Sequence, residues 1–292
     1  VSDSPTWNVK FTIPGLSLEN YDRDGNPKMT SLMVKPIMAL PYVYKQLSDE
    51  KNKTLMAWKG LTKDRLVFSA SATFTMSRAV YCPEIPKWPL DVHFCIGYVG
   101  KSSLKTVANF CPSGRESEPL WTEVYHFVSV DNVTRKSKPW PGWFQDHFKG
   151  KGCAYKGHTV RPFERPSLTY NCPVKVRWSD IDYNNHSTFT SYVHWAINAI
   201  HATIREEDEA KGLKSTFGAD QRPSSALNGI NKDIITNGLK DVQICFLSES
   251  LEGQVLNVHV WQQHNLAHAV FTSIERDSEV ICQIKFEYNS EP

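Results

Sequence analysis

The feature that most constrains this chain is a supersecondary pattern that occurs twice. A helix-patterned stretch is followed by a run of alternating strands, and the same order returns about 150 residues later. In the first half Leu66–Met76 alternates strictly. Leu66, Phe68, Ala70, Ala72, Phe74 and Met76 fall on one face, with mostly Ser and Thr on the other. Asp91–Val99, Ser103–Phe110 and Leu120–Asp131 read the same way. A short strand, Asn8–Ile13, lies in an otherwise irregular lead-in, and a helix is expected within Ile37–Ser48 despite Pro36 and Pro41.

In the second half Val174–Trp178 reads as a short strand. Ser187–Arg205 then carries Phe189, Tyr192, Val193, Ala196, Ile197, Ile200 and Ile204 at spacings of three and four, one face of an amphipathic helix. A short helix is expected near Ile230–Thr236, and strands at Leu239–Leu247, Gln254–Trp261, His268–Glu275 and Val280–Tyr288. A sheet with one apolar face needs cover, and a long helix supplies it, so the fold class is α+β. Arg135–Pro173 breaks the pattern with Pro and Gly at many positions and several Trp and Phe, and reads as a connector packed on the domains. The expected boundaries are therefore a first domain over 1–138, a connector over 139–173 and a second domain over 174–292.

With 292 residues, 40% of them hydrophobic, there is enough apolar material for two cores. The balance of 33 basic and 31 acidic residues gives no reason to expect nucleic acid. No stretch approaches the ~20 apolar residues that span a bilayer. Seven cysteines without a C-x-x-C pair argue against structural zinc and for free thiols. His264 and His268 fall in a turn between strands, where their spacing does not converge on a metal, so neither a metal nor a cofactor is expected. The chain opens on Val1, which reads as a processed or trimmed start, and N-x-[ST] triplets occur at Asn52, Asn132 and Asn185. Location is left open on this basis, with an intracellular site the leading reading and secretion the alternative.

The chemistry is concentrated between the strand and helix of the second half. Asp182, Asn184 and His186 lie two residues apart in a polar loop, and Ser187 or Thr188 can cap the helix that follows. A helix N-terminus presents N–H groups and a partial positive charge, suited to polarising a carbonyl oxygen. A carboxylate beside it can act as base on water or as nucleophile, and an imidazole and a carboxamide can orient water or carry the proton. Acyl hydrolysis or acyl transfer suits this set. Asp180 is expected to cap the loop or pair with Arg177.

The run from Arg177 to Tyr192 resembles the signature of hotdog-fold thioesterases, with Asp180, Asp182, His186 and Tyr192 at matching positions. It is most similar to the acyl-ACP thioesterases and their 4-hydroxybenzoyl-CoA thioesterase relatives. In the acyl-ACP enzymes an Asp-x-Asn-x-His run carries catalytic residues, and those positions fall on Asp182, Asn184 and His186. Downstream, the family's Glu-Cys pair matches Glu249-Ser250. Two departures are plain: Ser187-Thr188-Phe189 stands where the family usually has Val-Asn-Asn, and Ser250 stands in place of the Cys.

The resemblance implies two tandem hotdog domains, each a long helix wrapped by a curved antiparallel sheet. It covers the second half well. The first half resembles the family in shape but lacks the Asp-x-Asn-x-His set, and is expected to be a degenerate domain completing the pocket wall. The implied activity is hydrolysis of a fatty acyl-CoA or acyl-ACP thioester. The implied catalytic residues are Asp182, Asn184, His186 and Glu249, with Ser187, Thr188, Phe189, Tyr192 and Ser250 lining the substrate site. The amides at Ser187–Phe189 are expected to polarise the carbonyl, and the acyl chain to lie between the helix and the sheet. Either a monomer or a dimer of such pairs fits the domain count. The alternative is a secreted or repurposed double hotdog that binds or transforms another small hydrophobic molecule.

Overall fold

The computed structural model describes residues 8–35, 58–148, 159–182, 185–217, 226–227 and 229–291. The chain divides into two compact units, Val1–Val160 and Arg161–Pro292. The division falls inside the stretch expected to be a connector.

In the first unit β1 (Asn8–Ile13) precedes α1, which spans residues 29–35. The expected helix Ile37–Ser48 lies outside the described residues. After the short α2 (Trp58–Leu61) come β2 (Arg65–Met76), β3 (Leu90–Val99), β4 (Ser103–Pro112) and β5 (Trp121–Asp131). All neighbours pair antiparallel, in the order β1-β3-β4-β5-β2. Each expected strand is present to within two residues, but a bulge between Ser69 and Ser71 shifts the register of β2, so Leu66 and Phe68 do not share a face with Ala72, Phe74 and Met76 as the alternation suggested. Phe110 stacks on Trp121 with ring centroids 4.3 Å apart. Two residues along from Trp121, on the same face, Glu123 is fully buried. Its Oε1 accepts from Trp121 Nε1 at 2.7 Å, while its Oε2 has no hydrogen-bond partner. Burial pushes this carboxyl well above the ordinary range, so it is held as the neutral acid.

The connector is not wholly irregular. It forms α3 (Gly142–Phe148), and the buried Trp140 donates its indole N–H to the Ser103 carbonyl at 2.9 Å. Phe144 packs between Trp140 and Phe148. These aromatics close over the first unit, as expected from the Trp- and Phe-rich sequence.

The second unit opens with β6 (Tyr170–Lys175), which starts four residues earlier than the alternation suggests. Pro173 obscured it, since proline cannot donate to a ladder. Among the described residues of the second unit β6 pairs only with β8 and ends that unit's strand order, a position that tolerates the missing N–H. Then come α4 (Phe189–Phe217), α5 (Lys232–Thr236), β7 (Leu239–Phe246), β8 (Val255–Gln262), β9 (Ala269–Arg276) and β10 (Glu279–Tyr288). The sheet order is β7-β10-β9-β8-β6, antiparallel throughout.

Helix α4 buries Tyr192, Val193, Ala196, Ala199, Ile200 and Ile204, and packs on β6, β8, β9 and β10. The alanines let its backbone approach the sheet, and burying each large aliphatic side chain contributes roughly 1.5–3 kcal/mol. The helix runs well past Arg205, where the apolar spacing stops, because Glu, Lys and Leu are good helix formers.

The other face of this sheet is also covered. Phe163 packs edge-on against Trp261 and Phe271. Its backbone N–H donates to Gln283 Oε1 at 2.9 Å and its carbonyl accepts from Gln283 Nε2 at 2.8 Å. Arg165 meets the buried Glu275 at 2.7 Å. This explains why β9 is buried on both faces from Ala269 to Glu275 instead of alternating.

Candidate active site

The polar loop before α4 is folded on itself. The Asp182 amide donates to the His186 carbonyl at 2.9 Å, and the Asn185 amide donates to the Asp182 carbonyl at 3.0 Å. Ile181 and Ser187 form an isolated antiparallel bridge around it. Asn185 takes φ 63°, a left-handed conformation that Asn tolerates better than most residues. The result sets Asp182 beside His186: Asp182 Oδ1 accepts the His186 backbone N–H at 3.3 Å. Asn184 lies outside the described residues. Asp180 caps the preceding turn, accepting the Arg177 amide at 2.8 Å, as its place in the sequence suggested.

The loop meets the segment that follows β7. His186 Nε2 lies 3.1 Å from Glu249 Oε2, with the imidazole 26% and the carboxylate 39% exposed. An imidazole held against a carboxylate, in reach of solvent and next to a second carboxylate, is an acid–base arrangement. Beneath it lies a buried hydroxyl cluster. Ser250 Oγ donates to Ser187 Oγ at 2.8 Å and lies 3.1 Å from Tyr192 Oη. The Ser250 amide donates to Tyr192 Oη at 3.2 Å, and the Ser187 amide donates to the Ser250 carbonyl at 2.9 Å. Burial pushes the Tyr192 hydroxyl up, so it stays protonated. Ser250 therefore satisfies a donor and an acceptor inside the core, which a thiol does less well.

Helix α4 begins at Phe189, which is half-buried, and Thr188 caps it by accepting the Ser191 amide at 3.2 Å. One expectation needs correction here. The amides of Ser187 and Thr188 were expected to polarise a substrate carbonyl. They already donate to the carbonyls of Ser250 and Asp180, at 2.9 and 2.8 Å. The Ile181–Ser187 bridge takes up the Thr188 amide and the Ser250 carbonyl takes up that of Ser187, so neither serves as the oxyanion donor.

Sequence reasoning missed Arg276, at the end of β9. Its Nη1 donates to the Glu249 carbonyl at 3.2 Å and to Gln254 Oε1 at 3.0 Å, and its Nη2 pairs with Glu279. No local motif marks it, since only the sheet brings it to Glu249. Among the described residues no group of three His, Cys, Asp or Glu converges as a metal site.

The fold is one shared with thioester hydrolases of known structure. Residues 165–290 match the acyl-ACP thioesterase C-terminal domain, so the loop, α4 and the Glu249 segment all lie inside the matched region. Over its whole length the chain resembles hotdog-type thioesterases of known structure. It is similar to a 12:0-ACP thioesterase from Umbellularia californica, with 14% identity, a TM-score of 0.67 and 97% of each chain covered. It is also similar to an acyl-ACP thioesterase from Bacteroides thetaiotaomicron, with 12% identity, a TM-score of 0.60, and 97% of this chain and 98% of that one covered. A comparison with curated protein sequences finds no match.

Proposed function

We propose that the chain hydrolyses fatty acyl thioesters at Asp182, Asn184, His186 and Glu249, with an acyl carrier protein or CoA as the thiol carrier. The observation that carries this reading is the His186–Glu249 contact at 3.1 Å with the Asp182 carboxylate on the same tight loop. Asp182 acts as general base on water, or as the nucleophile itself. In the water route the water oxygen bonds to the thioester carbon as its proton passes to the carboxylate. The C–S bond then breaks, the thiolate takes up a proton, and a fatty acid and a free thiol leave. His186, oriented by Glu249, hydrogen-bonds water or the leaving group, and Asn184 positions substrate. The positive end of α4 favours negative charge developing near its start. The match to an acyl-ACP domain favours the carrier protein over CoA. Neither a metal nor a cofactor is needed for these steps.

We further read each unit as a hotdog domain, the first without the Asp-x-Asn-x-His set, which supports one reactive centre per chain. The test is free-thiol release from a panel of acyl-ACP and acyl-CoA substrates of graded chain length. The expected result is turnover that is lost in Asp182→Asn with the fold retained. Undiminished hydrolysis in that variant would remove Asp182 from the mechanism.

A further inference from the structure

The Glu249 carboxylate that meets His186 is partly exposed, and its backbone is tied down on both sides of the peptide that follows it. The peptide joining Glu249 to Ser250 is one rigid plane, carrying the Glu249 carbonyl and the Ser250 N–H. Each end has its own partner from a different element. Arg276 Nη1 donates to the Glu249 carbonyl at 3.2 Å from the end of β9. Tyr192 Oη accepts the Ser250 N–H at 3.2 Å from the first turn of α4. The next carbonyl, that of Ser250, accepts the Ser187 amide at 2.9 Å, directly beside His186. Arg276 is itself braced by Gln254 and Glu279, and Tyr192 is buried.

We infer that Arg276 and Tyr192 are positioning residues for the acid–base pair, holding both ends of the Glu249–Ser250 peptide and thereby fixing the carboxylate that meets His186. The inference rests on the functional reading of the His186–Glu249 pair and adds two residues that do not touch substrate. It moves Tyr192 from the substrate wall to the support of Glu249. A guanidinium donor makes a charge-assisted bond, stronger than a neutral one, which suits the exposed side of the peptide. A phenol that stays protonated suits the buried side, where it accepts from an amide and still has its own proton to donate.

The test is a pair of double-mutant cycles on the full chain. Tyr192→Phe and Arg276→Lys are each made alone and in a Glu249→Gln background, with dodecanoyl thioesters of CoA and of acyl carrier protein as substrates. Each single change is expected to lower kcat roughly tenfold with KM within about twofold, since small misplacement of a reacting group is costly. In the Glu249→Gln background the same changes should cost less than about twofold, because the group they position has already lost its function. Equal losses in both backgrounds, or no loss in either, would overturn the positioning role. If Glu249→Gln hydrolyses at the full rate, the functional reading of the pair fails instead and the positioning role falls with it. The ¹⁵N shifts of the His186 ring give a readout independent of turnover. Tyr192→Phe and Arg276→Lys should move them toward the values in Glu249→Gln, and unmoved shifts in both also overturn the role.

Discussion

His186 lies just ahead of α4 and Glu249 just after β7, yet their side chains meet at 3.1 Å. Neither is buried, and backbone hydrogen bonds stitch the two segments together beside them. The Ser187 amide to the Ser250 carbonyl is the nearest stitch. Glu249→Gln keeps the size and one acceptor but loses the charge. A fall in kcat of roughly 10- to 100-fold is expected, with a melting temperature close to that of the parent. Steady-state thiol release and a thermal melt check both halves of this statement.

Asp182 has two duties that substitution can separate. Its Oδ1 accepts the His186 amide, which Asn can also do, whereas Ala cannot. Asp182→Asn should lose at least about 10²-fold in kcat, the range for a general base. Asp182→Ala should lose the same activity and in addition about 1 kcal/mol of stability from the broken loop bond. Equal stability of the two variants in urea melts would remove the loop-closing duty.

Ser250 stands where the resemblance to thioesterases places a Cys, and Ser250→Cys tests what that difference means. Its hydroxyl bonds both Ser187 and Tyr192 in a buried site. A larger, weaker-bonding sulfur should cost about 1 kcal/mol and leave the hydrolytic route unchanged. A rate increase in the variant, abolished by a thiol-alkylating reagent, would show a nucleophile role that the present cluster does not support.

Glu123 gives the first unit a pH dependence of its own. Burial raises its folded-state pKa above that of the unfolded chain, so the folded state binds the proton more tightly. Its stabilising contribution is present below the unfolded carboxylate range, about pH 4.3. It is lost as pH rises toward the folded value, at up to ~1.4 kcal/mol per pH unit. Glu123→Gln should therefore flatten the decline in stability above about pH 5. Denaturant melts from pH 5 to 9 check the slope, and parallel slopes for both proteins would contradict a neutral buried acid.

Much of this molecule is legible in its sequence because its strands alternate. β1 and the starts of β4 and β7 fall on the expected residues, and the loop with Asp182 and His186 stands out by its spacing. The losses have physical causes. β6 hides behind Pro173, which is tolerated only at an edge. The length of α4 outruns its apolar stripe because polar helix formers carry it onward. The expectation for the Ser187 and Thr188 amides failed because the Ser250 and Asp180 carbonyls, brought up by the fold, take those N–H groups. Arg276 carries no local signature toward the site: Glu279 is three residues on, but Glu249 and Gln254 become its neighbours only when β9 is laid into the sheet.

The clamp of Gln283 on Phe163 bears on how the second unit could be separated from the first. A protease that cut just before β6 would leave behind the segment that shields Trp261 and Phe271, and the fragment would carry a bare aromatic face prone to self-association. Any self-sufficient version of this unit has to begin at or before Arg161, so what looks like spacer in the sequence is inherited with the second unit.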